Sequence, residues 1–166
     1  MSLTLVLGGA RSGKSRHAES LFTALPQPWL YLATAQAFDD EMRERIATHR
    51  ERRGAEWQTV EAPLDLPAAL LRARTQPALV DCLTLWLSNL LLGERDLDAA
   101  ANALETALMQ RTAATVLVSN EVGLGIVPDN ALARRFRDAA GTLHQRLAAR
   151  ADRVVFTVAG LPMVVK

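Results

Sequence analysis

The sequence predicts a single α/β domain in which a mostly parallel sheet carries helices on both faces. Three observations support this class. Short apolar runs alternate with longer stretches of helical periodicity, and several of the runs are apolar at nearly every position, as in parallel strands buried on both sides. The chain of 166 residues shows no internal repeat and no shift in composition, which predicts one domain over residues 1–166.

Six apolar runs are predicted as strands of this sheet. They cover residues 3–7, 29–33, 57–61, 78–81, 115–119 and 153–159. Gly160, Leu161 and Pro162 then form a turn signal. Residues 163–165 are therefore predicted to return as an antiparallel edge strand at the C-terminal end of the chain.

Six further stretches show the periodicity of helices. They cover residues 13–24, 39–53, 64–74, 83–92, 97–111 and 130–150. In the 39–53 helix, Met42, Ile46, His49 and Arg53 recur at helical spacing, so these side chains are predicted to share one face. The 83–92 helix is strongly apolar, which suits either the core or a contact between subunits.

Composition restricts the classes of function. The formal net charge is +1, which argues against non-specific nucleic-acid binding as the main task. The one cysteine, Cys82, excludes an intramolecular disulfide and is predicted to be a small buried residue. No stretch approaches the roughly 18 apolar residues of a membrane helix, and the N-terminal sequence is no signal peptide. A cytoplasmic protein without a membrane span is predicted.

Residues 8–15 carry a phosphate-binding pattern, Gly-x-x-x-x-Gly-Lys-Ser, between a predicted strand and a predicted helix. Glycine lets the backbone wrap closely around a phosphate, and the helix N-terminus adds partial positive charge. Lys14 is expected to reach the β- and γ-phosphates, and the Ser15 hydroxyl to ligate Mg²⁺. The predicted nucleotide-binding residues here are Gly8, Gly9, Ala10, Arg11, Ser12, Gly13, Lys14 and Ser15. The domain is therefore predicted to be P-loop NTPase-like.

The use of lysine strengthens this prediction. Among the 19 basic residues, Lys14 and Lys166 are lysines and the rest are arginines. A compact ammonium fits a crowded phosphate loop better than a planar guanidinium. A lysine at this position in an arginine-rich chain therefore favours a phosphate-binding loop over a glycine-rich turn without a ligand.

A P-loop site also needs a carboxylate at the end of a neighbouring strand. Asp81 follows the 78–81 strand and is the favoured candidate for touching metal or nucleotide. Glu121 follows the 115–119 strand and is the competitor, in a loop with two glycines at the edge where ligands bind in open α/β sheets. Capping a helix or pairing with arginine is the alternative role for either carboxylate.

The chain has three histidines, of which His49 has the most distinctive setting. It lies on the 39–53 helix, flanked by Arg45, Arg50, Arg52 and Arg53. Neighbouring positive charge favours the neutral imidazole, and a neutral imidazole beside bound phosphates is a candidate nucleophile. A half-buried histidine on a solvated arginine face is the alternative. His17 and His144 are predicted to be structural or exposed.

These segments together resemble the bifunctional adenosylcobinamide kinase/adenosylcobinamide-phosphate guanylyltransferase family of cobalamin biosynthesis. The matching segments are residues 8–16, 31–35, 39–42, 45–46 with His49, Trp57, 81–84 with 89–91, 119–128, and 134–138 with Gly141 and 145–148. The Asp-Asp-Glu-Met segment at 39–42 and the Asn-Glu-Val-Gly segment at 120–123 are more selective than the phosphate loop alone. The resemblance runs nearly from end to end.

The resemblance implies two reactions at one nucleotide site. ATP or GTP would phosphorylate adenosylcobinamide, and GTP would then pass GMP through a histidine to adenosylcobinamide phosphate, giving adenosylcobinamide-GDP. In this resemblance the family's guanylylated histidine maps onto His49. Relatives can carry a second histidine just before it; here that place is Thr48, which leaves His49 the only local candidate. Its nucleotide contacts map onto the phosphate loop and onto Ala33, Thr34, Ala35, Arg50, Glu51, Arg52, Arg53, Glu61 and Asp81. Relatives can carry Glu at the Asp81 position.

Further expectations follow from the same resemblance. Lys14 and His49 are the expected catalytic residues, Ser15 and Asp81 the expected ligands of Mg²⁺, and a homotrimer the expected assembly. The expected partners are adenosylcobinamide, its phosphate, ATP and GTP. A small-molecule kinase without a covalent nucleotidyl step and a non-catalytic nucleotide-dependent switch are the alternative functions.

Overall fold

The computed structural model describes residues 2–36 and 54–166. The predicted 39–53 helix lies outside the described residues. The same holds for His49, Arg50, Glu51, Arg52 and Arg53.

Seven strands and five helices are present in the described residues. The strands are β1 (Leu3–Gly8), β2 (Trp29–Ala33), β3 (Trp57–Glu61), β4 (Ala78–Asp81), β5 (Thr115–Asn120), β6 (Arg153–Val158) and β7 (Leu161–Val164). The helices are α1 (Lys14–Ser20), α2 (Leu66–Arg72), α3 (Leu83–Leu92), α4 (Leu97–Met109) and α5 (Ala131–Arg150).

The strands form one sheet in the order β3-β2-β4-β5-β1-β6-β7. Every neighbouring pair is parallel except β6 and β7, where Val158 pairs with Leu161 in antiparallel register. The predicted α/β class, the mostly parallel sheet and the antiparallel C-terminal edge strand are therefore confirmed.

Several predicted boundaries are off by one to four residues, and the structure shows a local reason for two of them. The first helix ends at Ser20 rather than at residue 24, and the Ser20 and Thr23 hydroxyls donate to the carbonyls of His17 and Ser20 at 2.7 and 3.0 Å. Such side-chain bonds compete with helical ones. The turn before β7 consists of Ala159 and Gly160, which both have positive φ, so Leu161 already belongs to the strand.

Each face of the sheet packs against its own hydrophobic cluster. Alternate residues of a strand point to opposite faces, so Leu30 and Leu32 enter the larger cluster under α2 to α5, while Trp29 and Tyr31 enter a smaller one with Phe22. In the smaller cluster the Phe22 ring centroid lies 4.8 Å from that of Trp57. Helices therefore cover both faces, as predicted.

The apolar helix α3 belongs mainly to the core. Leu83, Trp86, Leu90 and Leu91 are all buried, and Leu92 is exposed at its C-terminal end. Of the two roles that the sequence left open for this helix, the structure shows the core role. No helix in the described ranges is long and apolar enough to cross a membrane.

The buried Arg111 makes several hydrogen bonds at the end of the sheet that lies opposite the phosphate loop. Arg111 is 2% exposed, and its guanidinium donates to the carbonyls of Leu70, Ala73 and Gln76 at 2.9, 2.8 and 2.6 Å and to the Thr115 hydroxyl at 2.7 Å. Burial lowers the pKa of Arg111 to about 10, so it remains charged at neutral pH. These bonds join the end of α2 to the start of β5.

Helices α4 and α5 are joined by an ion-pair cluster. Glu105 accepts from Arg146 at 2.5 Å and also pairs with Arg150. Burial raises the pKa of Glu105, but hydrogen bonds from both arginines outweigh that effect and the pKa is lowered. Because the carboxylate therefore stays ionised, the cluster joins α4 to the C-terminal part of α5.

Candidate nucleotide-binding site

The loop after β1 requires glycine at two positions. Gly13 caps α1 with φ 89°, and a Cβ there would lie 3.0 Å from Cα of Gly160. A Cβ at Gly8 would lie 2.5 Å from the Ser12 hydroxyl and 2.7 Å from the Thr157 carbonyl. The loop is thus pressed against the β6–β7 turn, and the Gly160 N–H donates to the Ser12 carbonyl at 2.9 Å.

Lys14 lies across this loop. Its ammonium donates to the Gly9 carbonyl at 3.1 Å. Burial lowers the pKa of Lys14 below the ordinary lysine value, and Cys82 and Asp81 oppose that shift. A phosphate within reach would favour the charged form further, so the ammonium is suited to an anionic ligand.

A cavity of about 560 Å³ opens above the loop, at the carboxyl ends of β1, β2, β4 and β5. It is lined by Ala10, Arg11, Lys14, Ser15, Tyr31, Ala33, Ala35, Asp81, Cys82, Thr84, Leu85, Ser88, Asn120, Glu121, Val122 and Phe136. This volume is in the range of small-molecule sites. Arg11 and Lys14 make one side of the cavity cationic, and Tyr31, Leu85 and Phe136 form an apolar wall.

The Asp81 carboxylate is oriented by a tyrosine on the neighbouring strand β2. The Tyr31 hydroxyl donates to Asp81 Oδ2 at 2.8 Å. The register of β2 against β4 places Ala33 beside Asp81, which aligns the ends of the two strands at the cavity. The carboxylate therefore faces the same space as Lys14 and Ser15.

Thr34 supports the segment that carries Asp81. It is fully buried, and its hydroxyl donates to the Cys82 carbonyl at 2.7 Å and accepts from the Cys82 N–H at 2.8 Å. Asn89 in turn donates to the Thr34 carbonyl at 2.8 Å. This hydrogen-bonded unit fixes the backbone after β4 from below.

The thiol of Cys82 is held in its protonated form. Burial raises its pKa, and the charge of Asp81 raises it further. Its sulfur lies 3.2 Å from the Thr84 hydroxyl, which accepts from the Asn120 amide at 2.8 Å. These contacts join the end of β5 to the start of α3 and suit a structural role.

Glu121 directly follows β5, the strand between β4 and β1. Its backbone N–H donates to the Gly8 carbonyl at 3.0 Å, and its carboxylate accepts from the Gly123 N–H. The carboxylate is therefore engaged with its own loop, while Asp81 is held by a tyrosine. Both acidic candidates line the cavity, and the charge of Asp81 acts on the Lys14 ammonium.

The structure brings together many of the predicted nucleotide contacts. Those that line the cavity are Ala10, Arg11, Lys14, Ser15, Ala33, Ala35 and Asp81. Gly8, Gly9, Ser12 and Gly13 form the loop beneath, and Thr34 is buried behind it. Glu61 pairs with Ala33 in the sheet register but is exposed and does not line the cavity.

Sequence analysis missed part of the cavity wall. The residues it did not assign to the nucleotide site are Tyr31, Cys82, Thr84, Leu85, Ser88, Asn120, Val122 and Phe136. Residues 82, 84 and 120–122 directly follow the strand ends that were predicted, so adjacency was an available signal for them. Phe136 comes from α5, and no pattern in the sequence links that helix to the cavity.

A second cavity of about 430 Å³ lies between α3, α4 and α5, away from the phosphate loop. Its wall includes Trp86, Asp98 and Arg135. It contains none of the predicted nucleotide contacts.

Comparison with known proteins identifies close relatives. Residues 4–165 match the family model described as cobinamide kinase / cobinamide phosphate guanyltransferase. The bifunctional adenosylcobalamin biosynthesis protein CobP of Pseudomonas aeruginosa is 54% identical over 167 residues, covering 98% of this chain and 96% of that protein. The protein CobU of the same description from Salmonella typhimurium is 44% identical over 181 residues, covering 99% of each.

A solved structure supports the fold. An ATPase from the type III secretion system of pathogenic bacteria superposes with a TM-score of 0.56 at 10% sequence identity. The match covers 98% of this chain and 56% of that chain. At this identity the likeness concerns the fold alone, and it agrees with the predicted α/β class.

Proposed function

Because this chain belongs to the cobinamide kinase / cobinamide phosphate guanyltransferase family, we propose that the cavity around Lys14 serves both reactions of that family. The protein is a bifunctional enzyme of adenosylcobalamin biosynthesis. The observation that carries the proposal is the convergence of Lys14, Ser15 and Asp81 on one cavity at the carboxyl edge of the sheet.

In the kinase reaction, the loop holds the triphosphate of ATP or GTP. Phosphoryl transfer depends mainly on positioning and on neutralising charge. Lys14 supplies the cation nearest the transferred phosphoryl group. The aminopropanol hydroxyl of adenosylcobinamide attacks the γ-phosphorus, the bond to the leaving nucleoside diphosphate breaks, and the hydroxyl proton passes to solvent. The products are adenosylcobinamide phosphate and a nucleoside diphosphate.

The residues around Lys14 fit Mg²⁺. This ion prefers hard oxygen ligands and is usually held by one or two carboxylates together with substrate phosphates. The Ser15 hydroxyl and the Asp81 carboxylate both line the cavity and provide such oxygens. When bound, Mg²⁺ would supply further neutralisation of phosphate charge. Tyr31 holds the Asp81 carboxylate in position for that role.

In the guanylyl reaction, the imidazole of His49 is the proposed nucleophile. It attacks the α-phosphorus of GTP, a P–N bond forms, and pyrophosphate leaves. A phosphate oxygen of adenosylcobinamide phosphate then attacks the same phosphorus, releasing the imidazole and giving adenosylcobinamide-GDP. Splitting the transfer into two displacements is the advantage of covalent catalysis.

The remaining predicted contacts belong to the same proposal. Arg50, Arg52 and Arg53 would stabilise negative charge that develops at the phosphates. Glu51 and Glu61 are proposed nucleotide contacts on the resemblance alone, since the exposed Glu61 does not line the cavity. A cytoplasmic homotrimer is the proposed state of the enzyme, and light scattering of the purified protein would test the trimer through its mass.

The covalent step is tested by incubating the enzyme with GTP labelled at the α-phosphate and then denaturing it. A phosphoramidate to histidine is labile in acid and stable in base. We expect label with this behaviour in the parent and in His17→Asn and His144→Gln, and none in His49→Asn. The two control variants remove the other histidines of the chain one at a time.

Three results would contradict this assignment. Label retained in His49→Asn would place the covalent bond on another residue. A parent that phosphorylates adenosylcobinamide but takes up no label would support a kinase without a covalent nucleotidyl step. Nucleotide binding without turnover of any cobinamide would favour the non-catalytic nucleotide-dependent switch.

A further inference from the structure

The loop after β5 exposes large apolar side chains next to the cavity. In this segment, here named the rim loop (residues 122–127), Leu124 is 82% exposed, Ile126 is 97% exposed and Val127 is 62% exposed. Most other strongly exposed apolar residues of the described ranges lie on the edge strand β7 or stand singly at helix ends. Exposed apolar groups that lie together mark binding surfaces more often than single ones do.

The rim loop is continuous with the cavity wall. Val122 begins the loop, lines the cavity with Phe136 and packs with it against the larger core cluster. From Val122 the chain leaves the core, and Leu124 projects between two glycines. The apolar wall of the nucleotide site therefore extends outward onto the rim loop.

Both ends of the rim loop are held by hydrogen bonds. At its start, the Gly123 N–H donates to the Glu121 carboxylate. Just beyond its end, the Arg134 guanidinium donates to the carbonyls of Pro128 and Asp129 at 2.9 and 2.8 Å. The exposed side chains are thus carried by a loop with fixed ends.

The acceptor substrate has a part that the cavity does not accommodate. A cavity of about 560 Å³ has the size of a site for a molecule such as a nucleotide. The corrin ring of a cobinamide, with its methyl groups and amide side chains, is larger than the short aminopropanol arm that reacts. When the arm reaches the phosphates, the ring must therefore lie outside, against the rim of the cavity.

We propose that the rim loop, through Leu124 and Ile126, forms the docking surface for the corrin macrocycle of the acceptor. This inference rests on the proposed function and adds the location of the acceptor to it. Apolar contact with the ring would lower KM for the corrinoid without touching the nucleotide phosphates. Val122 and Phe136 would mark the passage along which the aminopropanol arm enters.

The test compares full-length variants in the kinase reaction, with adenosylcobinamide varied at saturating ATP. In Leu124→Ser/Ile126→Ser we expect KM for adenosylcobinamide to rise about tenfold or more, since two apolar contacts are lost. KM for ATP and kcat at saturating corrinoid should stay close to the parent. Leu124→Met/Ile126→Met keeps apolar side chains and should stay within about threefold of the parent.

Leu92→Ser is the control, because Leu92 is also an exposed leucine (62%) but does not line the nucleotide cavity. It should leave KM for adenosylcobinamide unchanged. A loop variant whose corrinoid KM matches that of the parent or of Leu92→Ser would overturn the inference, as would a parallel rise in KM for ATP. Failure of the parent itself to phosphorylate adenosylcobinamide would instead contradict the proposed function.

Discussion

The carboxylate of Asp81 is positioned by the hydroxyl group of Tyr31. Tyr31 lies on β2, and its side chain reaches over the end of β4 to donate to Oδ2 at 2.8 Å. The sequence analysis found Asp81 because an acidic residue ends an apolar strand. It did not find Tyr31, because the partner of a carboxylate depends on the order of strands in the sheet, and the sequence pattern does not contain that order.

The variant Tyr31→Phe tests this positioning. The ring should remain packed, because its edge contact with Trp57 does not need the hydroxyl. Loss of a hydrogen bond to a charged group should lower the kinase rate about tenfold and raise the Mg²⁺ concentration needed for half-maximal activity. The measurement is a Mg²⁺ titration of kinase activity, with Asp81→Asn as the more severe comparison. An unchanged Mg²⁺ dependence in Tyr31→Phe would refute the positioning role.

The structure adds detail to the sequence-based prediction for Lys14 but not to the one for His49. For Lys14, the sequence pattern predicted the residue type, its loop and its neighbours, and the structure adds the distance to the Gly9 carbonyl and the burial of the ammonium. His49 lies outside the described residues, so its role as a nucleophile remains a prediction. The labelling experiment is therefore the direct route to that residue.

Among the elements, β5 and α5 are linked by a buried pair below the cavity. His144 of α5 lies 2.7 Å from the Ser119 hydroxyl of β5, one residue before Asn120. The sequence analysis predicted His144 as structural or exposed, and the structure shows it buried. This pair helps to hold the strand end that carries the cavity residues Asn120 and Glu121.

The same pair predicts a pH dependence of stability. Burial lowers the pKa of His144 below its ordinary value of 6.5, with Glu121 partly opposing the shift. The unfolded chain therefore binds the proton more readily than the folded one, and the neutral imidazole favours folding above pH 6.5. Its contribution is lost as the pH falls through the lower pKa of the folded state.

We expect the urea concentration at the unfolding midpoint of the parent to decrease when the pH is lowered from 7.5 to 5.5. In His144→Gln, which cannot take up a proton here but keeps an amide near Ser119, the fall should be smaller. Burial also lowers the pKa of His17, with Arg153 adding to the shift, so part of the decline should remain. Equal declines in parent and variant would show that His144 does not contribute.

Element boundaries show where sequence patterns were sufficient. Strands β2, β3 and β4 and helix α3 begin and end at the predicted residues, because abrupt changes between apolar and polar residues mark their ends. Helix α1 is shorter than predicted, since hydroxyl groups near its end bond to backbone carbonyls. The helical spacing of apolar residues does not reveal that competition.

At the scale of the whole molecule, the sequence predicted the class of the sheet but not its strand order. Alternation of apolar runs with helical stretches is enough to predict a parallel sheet with covered faces. Which strands are neighbours depends on the paths of the connections, and these bring Asp81, Asn120 and the phosphate loop to one edge. The apolar part of the cavity wall, from Tyr31 on β2 to Phe136 on α5, follows from that arrangement.

The account as a whole depends on triphosphate binding at Lys14. The chain offers an unusually close control, because its other lysine, Lys166, donates to the carbonyls of Ala148 and Ala149 in a different part of the structure. Lys14→Ala and Lys166→Ala thus remove the same type of side chain, one inside the proposed phosphate cradle and one away from it.

The most direct measurement is calorimetric titration of GTP into the parent and these two variants. Loss of a charged contact to phosphate predicts that Lys14→Ala binds GTP about tenfold to a hundredfold more weakly. Lys166→Ala should bind GTP as the parent does. GTP binding of parental affinity in Lys14→Ala would contradict the central claim.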